Sequence, residues 1–465
     1  MRILLVDSHF VGQQNHSLEM IAGRLPSLGL LSIAAVMRKQ HEVSILDCQF
    51  HSTESARREI LHAGADLVAV SATTPWKREA FMLAGMAKDT KAFVVMGGHH
   101  ASIAPEECLA TGVADAVVLG ESDATFPELC TALEAGFPIS HVKGIGFLQG
   151  GSFLKTAPRP LIEDLDRLPM PAWDLVPTRE YFSSSVSRKH KESIVLVTSR
   201  GCPWKCSFCS QTIFGHRFRA RSARLIIEEM RYLHERYGKR DFTFFDDVFT
   251  LPRKRILEFC KLLIQERMDV HWSCETRGDL VDKEILSLMR RAGCHTIGFG
   301  VESGNQSVLD HINKSLRLRT VERAARIIRE AGIRSKAYFL IGLPGETEEQ
   351  VKETLRFARS LPVDFPVVDF FYPLPGTDIY EKAMSEGELL GNEQCNNLGR
   401  LRTLNYVPHT LTPEFLSREY MGTYRRIYLG PWKSLRYVTG IRSVDEVGKA
   451  MHAVWRLRGY GNPTL

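Results

Sequence analysis

The sequence predicts an α/β protein with two parallel-sheet domains and a helical C-terminal region. Two runs of alternating strand and helix patterns support this prediction, five strand–helix units over residues 1–135 and six over residues 190–380. The composition agrees, since 44% of the 465 residues are hydrophobic and 25% are charged. These values are typical of chains that bury a core, and they exclude a disordered, collagenous or small disulfide-stapled protein.

Charge and hydropathy limit the partners and the compartment. The 60 Lys and Arg against 54 Asp and Glu leave a net charge of +6, which is too weak over this length to predict nucleic-acid binding. No run of eighteen apolar residues predicts a transmembrane segment, and the strand-like run that begins at Met1 does not resemble a signal peptide. We therefore predict a cytoplasmic protein whose cysteines stay reduced.

The first run of patterns predicts a Rossmann-like, doubly wound parallel sheet in residues 1–140. Ligands of such sheets bind beyond the carboxyl ends of the strands, so the functional residues are expected in the loops that follow each strand. The strand patterns cover Arg2–Asp7, Glu42–Asp47, Leu67–Ser71, Ala92–Gly97 and Asp115–Leu119.

Residues 141–189 are predicted to be a hairpin followed by a proline-rich linker. The hairpin turns at Gly150-Gly151. The linker contains apolar residues, Leu165 and Trp173 among them, that need partners. We therefore expect it to pack on the protein surface rather than act as a flexible tether.

A second α/β domain is predicted over residues 190–380. Six strand patterns alternate with helical patterns, which favours a partial (βα)6 barrel with an active site at the carboxyl ends of its strands. The region 381–465 is predicted to be helical and basic, and it carries no chemical motif that we can name. The barrel strands are expected at Ser193–Thr198, Asp241–Phe245, Val270–Glu275, Thr296–Val301, Lys336–Ile341 and Val368–Tyr372.

Three of the ten cysteines are clustered directly after the first of these strands. Cys202, Cys206 and Cys209 follow the spacing Cys-x3-Cys-x2-Cys, and thiolates this close together can wrap one zinc ion or one iron–sulfur cluster. His216 could complete a Cys3His zinc site. Three cysteines alone would leave one iron of a cluster open to a substrate. The other seven cysteines are predicted to be small buried hydrophobic residues.

The cysteine segment resembles the signature of the radical S-adenosylmethionine superfamily. The resemblance implies that the three cysteines hold a [4Fe-4S] cluster, that its fourth iron binds S-adenosylmethionine, and that Phe208 packs near the adenine. The segment Gly342–Glu346 resembles a turn that lines the adenosine pocket. Further S-adenosylmethionine-binding residues are implied at strand ends: Asp246, Arg277, Glu302 and Ser303.

Two of these strand-end residues have a plainer alternative in the sequence itself. Asp246 could be a strand-end or helix-capping acid, and Glu302 could be a surface carboxylate. Arg277 has the planar guanidinium that can bind a carboxylate in bidentate fashion, as the methionyl group would require.

The N-terminal sheet resembles that of the cobalamin-binding radical S-adenosylmethionine enzymes. The residues that follow the fourth strand stand where these enzymes have Gly-Gly-Pro-His, with His99 as the departure from the pattern, and Arg159–Pro169 resembles their linker. Glycines at strand ends let a flat ligand approach the backbone closely. The resemblance implies a bound cobalamin next to Gly97, Gly98, His99, His100, Gly120 and Glu121.

Two loops could face the cobalt. Asp7–Gly12 spells the Asp-x-His-x-x-Gly pattern by which other cobalamin proteins supply an imidazole ligand, so His9 is one candidate. Thr73, Thr74 and Trp76 follow the third strand, and Trp76 could cover the cobalt without binding it. The alternatives are a loop histidine and ordinary packing at the start of a helix.

The resemblance implies an enzyme that methylates an unactivated carbon of a small-molecule or lipid-like substrate. Its cofactors would be a [4Fe-4S] cluster, S-adenosylmethionine and cobalamin, and an external electron donor such as flavodoxin or ferredoxin would reduce the cluster. The same cofactors could instead serve a cyclisation, an oxidation or a ring rearrangement without methyl transfer. A cluster-bearing or cobalamin-binding sensor is the non-enzymatic alternative.

Overall fold

A computed structural model describes residues 1–10, 23–184, 187–390 and 404–428. The chain forms two compact units. The first unit holds residues 1–205, 210–298 and 330–334. The second holds residues 206–209, 299–329 and 335–465, so far as these are described. None of the helices in the described part of the chain has the length and apolar character that a membrane span requires.

The N-terminal sheet belongs to the first unit and has seven strands. They are β1 (Arg2–Asp7), β2 (Glu42–Asp47), β3 (Leu67–Ser71), β4 (Phe93–Gly97), β5 (Ala116–Val118), β6 (Ile145–Gln149) and β7 (Ser152–Lys155). The order is β2-β1-β3-β4-β5-β6-β7, with β1 to β5 parallel and the β6–β7 hairpin antiparallel. The five predicted parallel strands are confirmed. The order reverses between β1 and β3, which is where doubly wound sheets bind ligands.

Helices cover both faces of this sheet because its strands are apolar on both sides. In β1, Leu4 and Val6 pack into one buried cluster, and Ile3 and Leu5 pack into another, since successive side chains of a strand point to opposite faces. The helices are α1 (Leu28–Met37), α2 (Thr53–His62), α3 (Lys77–Lys88), α4 (His99–Ile103), α5 (Pro105–Ala110) and α6 (Ser122–Ala135). The first cluster includes residues of α2 to α5, and the second includes residues of α1 and α6.

The proline-rich linker is part of the first unit, and its apolar residues are packed there rather than left in a flexible tether. Leu165 and Trp173 are both buried, and the Trp173 indole Nε1 donates to Glu229 at 2.9 Å. The buried Lys239 ammonium donates to the carbonyl oxygens of Tyr181 and Ser193 at 2.6 and 3.2 Å.

Short 3-10 helices are found at Cys48–Phe50, Thr74–Trp76, Ile139–His141, Leu165–Arg167, Trp173–Leu175, Thr178–Glu180 and Gly278–Leu280.

The second parallel sheet begins in the first unit. Its strands in this unit are β8 (Ser193–Leu196), β11 (Asp241–Phe244), β12 (His271–Thr276) and β13 (Cys294–Glu302). Two short strands, β9 (Ser199–Arg200) and β10 (Arg219–Ala220), form a separate antiparallel pair. The order here is β8-β11-β12-β13, with β11 parallel to both β8 and β12. The helices that follow β10, β11 and β12 are α7 (Ala223–Tyr237), α8 (Arg253–Glu266) and α9 (Lys283–Arg291).

Strand β13 runs from the first unit into the second, where the sheet pattern continues. The strands there are β14 (Arg334–Ile341) and β15 (Phe365–Phe370), in the order β13-β14-β15, and β14 and β15 are parallel. The helices are α10 (Gln306–His311), α11 (Leu318–Glu330) and α12 (Glu348–Ser360). All six predicted barrel strands are therefore present.

The described part of the C-terminal region contains helices and, in addition, a short strand pair that the sequence did not predict. Between α13 (Tyr380–Glu386) and α14 (Pro413–Tyr428) lie β16 (Gly387–Leu389) and β17 (Tyr406–Pro408), which pair in antiparallel fashion. Tyr406 is fully buried, and its hydroxyl donates to the Ala383 carbonyl at 3.0 Å. The prediction missed this pair because the two strands are short and separated in sequence, so no local pattern marks them. Residues 391–403 and 429–465 lie outside the described residues.

Candidate active site

The three clustered cysteines lie on a loop whose two ends are paired. Arg200 in β9 is opposite Arg219 in β10, so residues 201–218 leave and return at the same place. Gly201 begins the loop with a φ of +80°, and a Cβ atom there would lie 2.4 Å from the Arg217 carbonyl oxygen. Only glycine fits this position.

The three thiolates of this loop are the ligand type that an iron–sulfur cluster requires. Cys202 and Cys206 are half-buried, and Cys209 is exposed. Among the described residues, no three His, Cys, Asp or Glu side chains converge on one metal-ion position. His216, the alternative zinc ligand, has its Nδ1 3.0 Å from the Trp204 carbonyl oxygen.

The other cysteines are buried, as predicted, wherever the structure describes them. They are Cys48, Cys108, Cys130, Cys260, Cys274 and Cys294. Burial raises the pKa of the Cys108 thiol to about 12, so this side chain stays protonated and is a poor metal ligand. Cys395 lies outside the described residues.

In the second unit, residues 206–209 are anchored by backbone hydrogen bonds. The Ser207 N–H donates to the Ile312 carbonyl, and the Ser207 carbonyl accepts from the Ile379 N–H, both at 3.0 Å. Phe208 packs against a cluster of buried residues: Val308, Leu309, Ile312, Leu343, Phe371, Ile379, Ala383 and Tyr406. These contacts fix the backbone of Phe208, whose predicted contact with the adenine stays a prediction.

Glu302 is buried, so the surface-carboxylate alternative is wrong. It ends β13 with a φ of +70°, which is uncommon for a residue with a side chain. Its Oε1 accepts from the buried Lys314 ammonium at 2.7 Å, and this Nζ lies 6.0 Å from the Phe208 ring centroid. The neighbouring Ser303 hydroxyl lies 2.8 Å from the Thr354 hydroxyl.

Sequence reasoning missed Lys314. It lies between α10 and α11 and belongs to no motif that points to a ligand. A lysine twelve positions after a strand-end glutamate is the only signal, and many surface lysines show the same spacing. The buried pair with Glu302 is visible only in the folded chain.

One carboxylate oxygen of Asp246 has the structural role of a strand-end acid. Its Oδ1 accepts from the Thr198 N–H at 3.0 Å, from the Thr198 hydroxyl at 2.9 Å and from the Ser199 hydroxyl. Its Oδ2 is buried and has no hydrogen-bond partner among the described residues. Burial raises the pKa of this carboxyl, although Arg255 acts in the opposite direction. One oxygen thus holds the turn before the cysteine loop, and the other is left for a donor.

Arg277 already binds a carboxylate in the structure. Its Nε and Nη2 lie 3.0 and 3.2 Å from the two oxygens of Asp279, in the bidentate arrangement that arginine favours. The guanidinium carbon lies 4.2 Å from the ring centroid of Trp204, which stands between Cys202 and Cys206. Arg277 thus contacts the cysteine loop, and its predicted bond to the methionyl carboxylate stays a prediction.

Glu346 is the buried carboxylate of the Gly342–Glu346 turn. Its Oε2 accepts from the N–H groups of Gly342 and Leu343 at 2.7 and 3.1 Å, whereas its Oε1 has no hydrogen-bond partner among the described residues. Burial raises the pKa of this carboxyl to about 7, against the effect of the two backbone bonds. The group therefore titrates near neutral pH.

We expect the unfolding free energy of Glu346→Gln, relative to that of the wild-type chain, to be higher at pH 8 than at pH 5. The folded-state pKa lies above the ordinary value, so the wild-type chain loses stability relative to the variant as the pH rises from 4.5 through about 7. The full difference is about 3 kcal/mol. Denaturant unfolding of both proteins at pH 5 and pH 8 measures it. An equal difference in unfolding free energy at both pH values would contradict the titration of Glu346.

The loops after β1 and β3 meet at the strand-order reversal, and they bring together the two predicted cobalt-facing candidates. The His9 and Trp76 ring centroids lie 5.5 Å apart with an interplanar angle of 68°. The His9 Nδ1 is hydrogen-bonded to the buried Asp7 carboxylate. Burial lowers the pKa of His9, but Asp7 and the more distant Asp47 and Glu79 together outweigh it, so the net shift is upward. Gly12 of the predicted motif lies outside the described residues.

The loop after β3 also meets the histidine that follows β4. Thr74 is buried, and its Oγ1 lies 3.4 Å from the Nδ1 of His100. The His100 Nε2 lies 3.3 Å from a Glu107 carboxylate oxygen, and burial lowers the pKa of this imidazole. The Thr73 hydroxyl is buried with no hydrogen-bond partner among the described residues. His99, in contrast, is exposed.

The two glycines after β4 have different requirements. Gly98 has a φ of +96°, and a Cβ atom there would lie 2.9 Å from the Ala72 carbonyl oxygen. A Cβ atom on Gly97 would lie 3.9 Å from the nearest side chain, that of Val118, which is an ordinary contact. Gly98 is therefore required by the fold, whereas no contact with the described residues requires Gly97. A ligand that lies against this strand end would explain Gly97.

We expect Gly98→Ala to destabilise the protein by about 1–3 kcal/mol, because alanine is strained at positive φ and clashes with the backbone. Gly97→Ala is the matched control, and its unfolding free energy should stay within about 0.5 kcal/mol of wild type. Chemical unfolding measures both. Equal destabilisation by the two variants would contradict the difference in their surroundings.

The loop after β5 contains Gly120 and Glu121, which are predicted to contact cobalamin. Gly120 has a φ of +70°. Both carboxylate oxygens of the buried Glu121 lie 2.8 Å from Arg219 Nη1, and Oε2 also accepts from the Ile162 N–H at 2.8 Å. The Glu121 side chain is therefore occupied by contacts within the chain, and its predicted contact with cobalamin stays untested.

Two family models match the chain. The Radical SAM superfamily model matches residues 196–358, and the B12 binding domain model matches residues 18–130. An uncharacterised methyltransferase of Pyrococcus horikoshii is 34% identical over 417 residues, which are 87% of this chain and 88% of that protein. The anaerobic magnesium-protoporphyrin IX monomethyl ester cyclase of Cereibacter sphaeroides is 29% identical over 444 residues, 90% of this chain and 71% of the cyclase.

A solved structure has the same fold. The cobalamin-dependent S-adenosylmethionine radical enzyme OxsB, with aqua-cobalamin bound, matches with a TM-score of 0.76 and 16% sequence identity. The match covers 98% of this chain and 71% of the OxsB chain. This likeness confirms the predicted combination of a doubly wound sheet and a (βα)6-type barrel.

Proposed function

Because the chain belongs to the cobalamin-binding radical S-adenosylmethionine enzymes, we propose that it methylates an unactivated carbon of a small-molecule or lipid-like substrate. Its cofactors are a [4Fe-4S] cluster, S-adenosylmethionine and cobalamin. The observation that supports methylation is the 34% identity to a methyltransferase that this chain matches over nearly its whole length.

Different residues of the chain bind the different cofactors. Cys202, Cys206 and Cys209 hold the cluster, because thiolates are the ligands such clusters prefer. The Asp246 Oδ2, which has no hydrogen-bond partner among the described residues, would accept a hydrogen bond from an N–H of S-adenosylmethionine. When bound, the cofactors supply one-electron cleavage of S-adenosylmethionine and a transferable methyl group.

Lys314 and Glu302 extend the S-adenosylmethionine site in the second unit. Their buried ion pair holds the strained backbone at the end of β13, and Phe208 packs beside the ammonium. Ser303 is held by Thr354. We assign to these residues the positioning of the methionyl and adenosyl groups, because each side chain is fixed by a packed neighbour.

Residues at the carboxyl ends of β1, β3 and β4 would hold the cobalamin. Gly97 and Gly98 allow close approach to the backbone, and the buried Thr73 hydroxyl is free among the described residues to bond a polar group of the ligand. His9 and Trp76 stand side by side at the strand-order reversal, where a doubly wound sheet places its ligand.

Product balance tests the methylation. The chain is reconstituted anaerobically with cluster and cobalamin, reduced, and supplied with S-adenosylmethionine and extracts that contain candidate substrates. Methylation predicts that S-adenosylhomocysteine and 5′-deoxyadenosine both accumulate, and that a methyl-labelled S-adenosylmethionine transfers its label to a product. Formation of 5′-deoxyadenosine without S-adenosylhomocysteine would rule methylation out.

The likeness to the magnesium-protoporphyrin cyclase favours a second candidate, a cyclisation or oxidation that uses the same cofactors. In that reaction no label leaves the methyl group of S-adenosylmethionine. The label experiment therefore separates the two candidates. Either reaction needs one electron to start cleavage, and we propose that a flavodoxin or ferredoxin supplies it.

A further inference from the structure

We infer that four charged residues, Glu121, Asp123, Arg200 and Arg219, couple the cobalamin-binding sheet to the cysteine loop, so that binding of one cofactor strengthens binding of the other. The inference rests on the proposed function and assigns a positioning role to residues for which sequence reasoning found no such role.

The four side chains form one continuous network inside the first unit. Arg219 Nη1 lies 2.8 Å from both oxygens of Glu121. Arg200 Nη1 lies 3.1 Å from Glu121 Oε1 and 2.8 Å from Asp123 Oδ2. Arg200 Nη2 completes a bidentate contact with Asp123 Oδ1 at 3.2 Å, and this oxygen also accepts from the Ser32 hydroxyl of α1 at 2.5 Å.

The network is buried and charged. The side-chain exposure is 3% for Glu121 and Arg219, 6% for Asp123 and 13% for Arg200. Burial alone would raise the pKa of Asp123, but Arg200, together with the hydrogen bonds that the carboxylate accepts, lowers it below its ordinary value, so the carboxylate stays ionised. An ion pair in these surroundings is favourable only in its paired geometry, because separating the charges leaves each one desolvated.

The two arginines hold both ends of the cysteine loop. Arg200 ends β9, two residues before Cys202, and Arg219 begins β10, directly opposite Arg200 in the antiparallel pair. Any shift of either strand would pull a guanidinium away from its carboxylate. The network therefore fixes the base from which the loop projects Cys202 and its neighbours.

The two acids belong to the segment predicted to contact cobalamin. Glu121 follows Gly120 at the carboxyl end of β5, and Asp123 lies in the first turn of α6. A Cβ atom on Gly120 would lie 3.8 Å from the Ile213 carbonyl oxygen of the cysteine loop, so the two loops also approach each other closely. A cofactor that orders one loop therefore orders the other, and such coupling is reciprocal.

The test measures cobalamin affinity with and without the cluster. The full chain is titrated anaerobically with aqua-cobalamin, first after removal of iron by a chelator and then after cluster reconstitution. In the wild-type chain we expect the dissociation constant to fall by about fivefold or more when the cluster is present, the lower end of typical coupling. The doubly neutralised variant Asp123→Asn/Arg200→Gln should bind cobalamin equally in both states, within about twofold.

A control removes a bidentate Arg–Asp pair of the first unit that is much more exposed to solvent. Arg38 binds Asp174 at 2.7 and 2.9 Å, and Arg38→Gln/Asp174→Asn should keep the wild-type ratio of dissociation constants. A structural role alone would lower the thermal midpoint of the Asp123/Arg200 variant but leave this ratio unchanged. If that variant does not fold, the single substitution Asp123→Asn replaces it, and the reduced-cluster electron paramagnetic resonance spectrum with and without cobalamin is the second readout.

The outcomes separate this inference from the proposed function. A wild-type chain that binds neither cofactor overturns the proposed function. A wild-type chain that binds both with a ratio near one, or a variant that keeps the wild-type ratio and the wild-type change in its spectrum, overturns the coupling alone.

Discussion

Replacing Cys202, Cys206 and Cys209 together with Ala is expected to lower the iron content from about four atoms per chain to less than about one, because these thiolates are the assigned cluster ligands. Reductive cleavage of S-adenosylmethionine should fall to the background of an enzyme-free reaction. Iron analysis, the visible absorption of the cluster and the yield of 5′-deoxyadenosine measure these changes.

The triple variant should still bind cobalamin, with the affinity of the wild-type chain stripped of its cluster. The residues proposed to bind cobalamin belong to a separate sheet, and the described residues of its core do not include any of the cysteine loop. Cys108→Ala is the matched control, because Cys108 is fully buried in that core, and its iron content should equal that of wild type. Complete loss of cobalamin binding in the triple variant would contradict the assignment of cobalamin to residues 1–140.

Replacing Trp173 with Ala is expected to destabilise the protein by about 4 kcal/mol, which is typical for deletion of a fully buried aromatic side chain. Trp173 is fully buried in the linker, and its indole N–H donates to Glu229 at 2.9 Å. Glu229 is itself buried and accepts from Arg221. The substitution therefore opens a cavity and removes one of the two partners of a buried carboxylate.

The Trp173→Phe variant separates these two effects. Phenylalanine keeps most of the packing and removes the donor, so we expect a loss of about 1–3 kcal/mol. Chemical unfolding measures the unfolding free energy of both variants. It is followed by far-ultraviolet circular dichroism, because this signal comes from the backbone and not from the tryptophan that is replaced. If Trp173→Ala cost less than about 1 kcal/mol, the linker would not pack in the way the structure describes.

Much of the fold could be predicted because strand and helix patterns are local. The parallel strands of the N-terminal sheet were placed within one residue at each end, since each is a short run of apolar residues bounded by polar ones. The C-terminal strands β16 and β17 could not be predicted, because each is three residues long and the partner of each lies far away in sequence.

The candidate site divides in the same way. The cysteine spacing, Gly97-Gly98 and the Gly342–Glu346 turn are contiguous segments, so the sequence contains them whole. The ion-pair partner of Lys314 is Glu302, twelve positions away, and that of Arg200 is Asp123, 77 positions away. A single sequence does not indicate that residues this far apart form an ion pair.

The sequence by itself determined the class of the enzyme, because contiguous motifs specify which cofactors can be held. Only the tertiary structure decided what several of the predicted side chains do. Glu121 is bound by Arg219, and Arg277 is bound by Asp279. The reason is that a buried charge needs an opposite charge within hydrogen-bond distance, and which charges come that close is set by how distant segments pack.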